Sequence, residues 1–146
     1  MNKKLVDEYL PLAVEALTDP SVQIAENGKV SSAFRGKISS FGAAVSAGSL
    51  LSAVALFSAQ NGASVDLSKL MAAINFMLKK KIPMQTKDRL FDTVRNCPSK
   101  RFMKEQVLSC AAALKLAMNL FDLGNGENEE GQTSDEKPMN TEEGTA

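Results

Sequence analysis

The side chains with the clearest chemical potential are cations, and they come in three groups. Arg35 and Lys37 sit among Ser31, Ser32, Ser39 and Ser40. Lys79, Lys80 and Lys81 are consecutive, with Lys87 and Arg89 close behind. Lys100 and Arg101 stand together, with Lys104 just after. Cations beside hydroxyls, with few acids near, are suited to phosphate oxygens. Each group also has a plainer reading. Arg35 and Lys37 can be an ordinary solvated face. Lysines often decorate a helix C-terminus, where they favour the dipole and bond the last carbonyls. Cations opening a helix, as Lys100 and Arg101 would, meet a mild local penalty from the dipole, and this favours a partner there.

Other chemistries are excluded by what is missing. The chain has no histidine. Ser-His and Cys-His nucleophile pairs and imidazole bases are therefore ruled out. Its two cysteines, Cys97 and Cys110, cannot close a structural zinc site by themselves. The carboxylates before the C-terminal region are scattered, and no glycine pattern forms a phosphate loop. The expectation is a protein with no catalytic residues, no metal and no cofactor. Aromatic residues are not interleaved with the basic ones, so contact with a nucleic-acid backbone is expected ahead of base stacking.

The formal charge of zero adds two opposite regions. Residues 1–123 carry a net +6 and residues 124–146 a net −6. Between Lys29 and Lys115 there are fourteen lysines and arginines against Asp66, Asp88, Asp92 and Glu105. That excess is the footprint expected of a surface meeting a polyanion.

The elements that would carry these cations read as helices. Ala, Leu and Met dominate the apolar stock and β-branched residues are sparse. Helical spacing predicts a first helix over 3–17, kinked by Pro11 inside it, and a second from about Lys29 with Val30, Phe34, Ile38, Phe41 and Val45 on one face. Gly48-Ser49 breaks it, and a third helix follows over 50–60. Asp66 is the expected N-cap of a fourth, over 67–80. A short fifth covers 87–96, and a sixth runs over 99–123 with Met103, Val107, Cys110, Leu114, Ala117 and Phe121 on one face. Thr18-Asp19-Pro20-Ser21 and Asn27-Gly28 read as turns. The expectation is an all-α fold. It is a small helical bundle of about five to six helices over 1–123, with a disordered acidic C-terminal tail over 124–146. Asn2-Lys3-Lys4 leads into a mixed run unlike a secretory signal. With two free thiols expected, this points to the cytoplasm.

Ile38 to Val65 contains no charged residue. A membrane span would need such a stretch, and Gly42 and Ser46, like Gly48 and Ser52, have the spacing of tightly packed membrane helices. Four serines and the Gly48-Ser49 break favour packed core or interface helices instead, so no membrane is expected as a partner.

The run Phe34-Arg35-Gly36-Lys37-Ile38-Ser39-Ser40-Phe41-Gly42-Ala43-Ala44-Val45-Ser46-Ala47-Gly48-Ser49-Leu50-Leu51-Ser52-Ala53-Val54-Ala55-Leu56-Phe57 resembles the small subunit of the Cmr complex, the type III-B CRISPR effector that targets RNA. That family has an aromatic and basic helix, a break, and an Ala-rich helix ending in Phe. Gly42 stands where the family has a proline, and Gly48-Ser49 replaces its Asn-Gly. Phe121 or Leu120 lies near its expected Trp. The resemblance covers about residues 1–123. It implies a non-catalytic all-α subunit in antiviral defense. Copies would stack on one another beside the other Cmr subunits and contact the crRNA and target RNA. Arg35 and Lys37 fall inside the matched run. Lys79, Lys80, Lys81, Lys100 and Arg101 are added as RNA contacts from charge alone. Two other readings stay open: a protein-only helical scaffold or adaptor, and a small membrane protein.

Overall fold

A computed structural model describes residues 2–58 and 67–124. Six α-helices lie within them: α1 (Lys3–Thr18), α2 (Ser32–Ala47), α3 (Leu50–Phe57), α4 (Leu67–Lys81), α5 (Leu90–Arg95) and α6 (Lys100–Met118). The fold is a small all-α bundle, as expected. The proposed N-cap Asp66 and the acidic segment 125–146 lie outside the described residues.

The bundle is organised around α6. Its inward face carries Met103, Val107, Cys110, Leu114 and Ala117, all fully buried. Helices α1, α2 and α4 pack against it. Helix α1 contributes Tyr9, Ala13, Ala16 and Leu17, with α4 adding Leu70, Ile74, Met77 and Leu78. Burying each large apolar side chain contributes roughly 1.5–3 kcal/mol against chain entropy. Pro11 sits on the exposed side of α1, and the helix continues through it.

The α2–α3 break is built from two adjacent residues. Gly48 ends α2 by donating its N–H to Ala44 O, and Ser49 caps α3 by accepting from Ser52 N at 3.2 Å. A Cβ on Gly48 would lie 3.3 Å from Ala44 O, so glycine allows the close approach. The two helices then meet through Phe41 and Phe57. Their rings are 5.2 Å apart in an edge-on arrangement, a geometry that aromatic pairs favour.

Three boundaries differ from the sequence reading, the first being α5, which starts at Leu90 and not at Lys87. Residues Lys29–Ser31 are a short strand, β1, and α2 starts only at Ser32. Helix α6 ends at Met118, and Asp122–Gly124 form β2. The strands pair in parallel, with Val30 opposite Leu123 and Ser31 opposite Gly124. Val30 is buried as predicted, but from a strand. Asn27 and Gly28 adopt φ of 57° and 74°, turning Glu26 back onto Lys29 in the tight hairpin that Asn-Gly favours. The helical spacing of Val30 continues α2's stripe, which is why periodicity alone extends the helix too far.

Candidate nucleic-acid interface

Arg35 and Lys37 lie on α2, but two residues along a helix is about 200° of rotation. The two side chains therefore leave the helix on different sides. Arg35 is half-buried and turns toward the end of α6, where Nη2 donates to Asn119 Oδ1. Its Nε is buried without a partner among the described residues. Lys37 is exposed. The serines contribute less than their number suggests. Ser39 Oγ donates to Arg35 O at 3.2 Å and Ser40 Oγ to Gly36 O at 3.1 Å, while Ser31 caps α2 by accepting from Ala33 N. Hydroxyl protons spent on α2's own carbonyls are not available to a phosphate.

Lys79, Lys80 and Lys81 close α4 and diverge by about 100° per residue. Lys81 faces α1. Its Nζ pairs with Glu8 Oε1 at 2.5 Å and lies 5.6 Å from the Tyr9 ring centre. The Lys81 hydrogen bond and charge hold the Glu8 carboxyl below its ordinary value. Lys80 is exposed and rests over Phe76, 5.3 Å from the ring centre. Lys79 is exposed and points to a cleft described below.

Lys100 serves the fold directly. Its Nζ donates to Val94 O at 2.6 Å and Arg95 O at 3.1 Å, satisfying carbonyls at the C-terminal end of α5. This explains a cation at the start of α6: the negative end of one helix dipole lies beside the positive end of the next. Arg101 is exposed next to Phe102, Lys104 and Glu105 on α6. The seven cations therefore do not form one face. Lys37, Lys79, Lys80 and Arg101 are exposed; Arg35, Lys81 and Lys100 also hold elements together.

The structure keeps part of the second sequence group together and sets aromatic rings beside it. Lys79 shares a cleft with Lys87 and Arg89, formed by α3, α4 and the start of α5. Its volume is about 540 Å³, and its lining includes Met71, Phe76, Leu90 and Phe91. Asp88 lines it too, and Arg89 is paired with Asp92 at 3.0 Å. Two aromatic rings thus lie beside cations, which corrects the reading of aromatics as not interleaved with the basic residues: Phe91 follows Arg89 by two positions. The available signal is Phe76 and Lys79 one helical turn apart on α4.

In the core, Ser109 Oγ is buried without a partner among the described residues, while other buried groups are paired or held neutral. Tyr9 donates its hydroxyl to Gln106 Oε1 at 2.5 Å, joining α1 to α6 inside the core. Burial raises the phenol's pKa and also that of the Cys110 thiol, so both stay protonated. Cys110 packs in the core, as its place on the apolar face predicts. Among the described residues no group of His, Cys, Asp or Glu could hold a metal ion, and no helix is long and apolar enough to cross a membrane.

No protein-family model, curated protein or solved structure matches this chain. The reading of the surface rests on its own chemistry.

Proposed function

We propose that this chain is a non-catalytic, RNA-contacting assembly subunit, the small subunit of a type III-B CRISPR Cmr effector. The observation that carries the proposal is the outer face of α2. Phe34, Ile38, Phe41 and Val45 are buried inward. Outward stand Gly36, Ser39, Ser40, Ala43, Ser46 and Ala47, all exposed, with Lys37 as the exposed cation. A Cβ on Gly36 or Gly42 would meet nothing within 4 Å. These small residues are therefore not required by the chain's own packing. They leave a smooth surface where a neighbouring backbone can approach closely, with Lys37 beside it for a phosphate chain. This supports a subunit that stacks with copies of itself and other effector subunits while facing crRNA and target RNA.

A protein-only scaffold is the second reading. It is favoured by the internal bonds of Arg35, Lys81 and Lys100. Purifying the native assembly through a tagged chain and extracting its nucleic acid separates the two. The proposal predicts short, ribonuclease-sensitive RNAs sharing one repeat-derived end. An assembly free of RNA would leave the scaffold reading.

A further inference from the structure

We infer that the cleft between α3, α4 and α5 is a nucleotide-binding site, and that its occupant is one unstacked nucleotide of a single-stranded RNA. Lys79, Lys87 and Arg89 supply positive charge at the cleft, and Phe76 and Phe91 supply flat apolar surface. A volume of about 540 Å³ falls in the range of small-molecule sites and admits a base with its sugar and phosphate.

The placement of Lys87 makes this a built site. Buried Asn75 donates its side-chain amide to Lys87 O at 2.8 Å. Buried Thr93 accepts the Lys87 N–H at 2.8 Å and donates to Asn75 Oδ1 at 2.8 Å. Two buried polar side chains, from α4 and α5, thus fix the backbone of one exposed lysine. Fixing this segment in advance lowers the ordering cost when an anion binds. Lys79 comes from the last turn of α4, so the site rests on helices and a pinned segment.

The mixed lining selects among anions. Asp88 is an acceptor that opposes a bare phosphate but suits a ligand carrying both an anion and hydrogen-bond donors. A ribonucleotide has a phosphate for the lysines, hydroxyl and amine donors for Asp88, and a base for the rings. Base–aromatic stacking tolerates any base, so the site would hold a strand without reading its sequence. This deepens the RNA-contacting role proposed above and rests on it for the strand as the ligand's source.

The test is a nuclear magnetic resonance titration of the labelled full-length chain with octa-adenylate, with AMP and with inorganic phosphate. Octa-adenylate should shift the Phe76 and Phe91 ring signals and the amides of Lys87–Phe91. AMP should shift the same signals more weakly, and phosphate should not. Combining Lys79→Ala with Lys87→Ala leaves the Asn75 and Thr93 bonds to backbone atoms intact, and should weaken octa-adenylate binding about tenfold, in line with losing charge-assisted contacts. The inference is overturned if the cleft signals do not move with octa-adenylate. It is also overturned if the double variant binds as the wild type does, or if AMP binds while octa-adenylate does not. Should the cleft respond while the native assembly carries no RNA, the proposed function fails and strand binding at the cleft remains. A silent cleft with RNA in the assembly removes this inference alone.

Discussion

At the scale of single residues, the Tyr9–Gln106 bond is a buried polar contact that joins α1 to α6. Replacing Tyr9 with Phe leaves the Gln106 oxygen buried without its donor, which costs about 1–3 kcal/mol. Chemical denaturation should show that loss. The pH dependence has a definite sign. Burial raises the folded phenol above its ordinary value of 10.0. Its contribution to stability is therefore complete below that pH and is lost as pH rises toward the folded value, because the unfolded phenol ionises first. Tyr9→Phe should remove this part of the alkaline decline, while an unchanged alkaline profile would contradict it. Cation positions were readable as residues, but their roles were not. Nothing in Lys79-Lys80-Lys81 announces that the third pairs with Glu8 on another helix. Lys100 reads as a misplaced charge until the end of α5 is seen beside it.

At the scale of elements, the helices were legible wherever an apolar stripe continued over several turns. Phe34, Ile38, Phe41 and Val45 are buried from α2 as their spacing requires, and the Gly48-Ser49 break falls where expected. The β1–β2 ribbon was not legible. It joins two three-residue strands far apart in sequence, too short for an alternating pattern and dependent on tertiary proximity. Helix α2 also yields a prediction that separates folding from assembly. Gly42 lies inside the helix, and a Cβ there meets nothing within 4 Å. Gly42→Ala should therefore raise stability by about 0.5–1 kcal/mol through reduced backbone entropy in the unfolded chain. Gly42→Leu should also fold. It would fill the shallow groove between α2 and α6, lined by Ile38, Ala43, Leu108 and Ala112. If a neighbour packs there, overpacking should weaken its association by roughly 1–3 kcal/mol, measured by sedimentation of the mixed subunits. Normal assembly of a stable Gly42→Leu protein would contradict the use of this face.

At the scale of the whole molecule, the sequence sets a basic region against an acidic one. Strand β2 brings Gly124 beside Ser31, the N-cap of α2. Lys37 is about 9 Å farther along the helix axis at 1.5 Å per residue. Residues 125–146 carry the chain's acidic excess, and an acidic segment competes with RNA for exposed cations such as Lys37. Deleting residues 125–146 should tighten nonspecific RNA binding by the isolated chain at low salt. The difference should shrink as salt screens the charges. Equal affinities at low salt would show that the segment does not compete.

The central claim is that cations beside the α2 packing face contact RNA in the assembly. Its most direct test is the RNA affinity of the reconstituted assembly across a salt series, with the wild-type chain and with Arg35→Ala and Lys37→Ala combined. Each lost phosphate contact should flatten the log–log slope by about 0.7–0.9. The account predicts a shallower slope with the assembly intact. An intact assembly with an unchanged slope would contradict it.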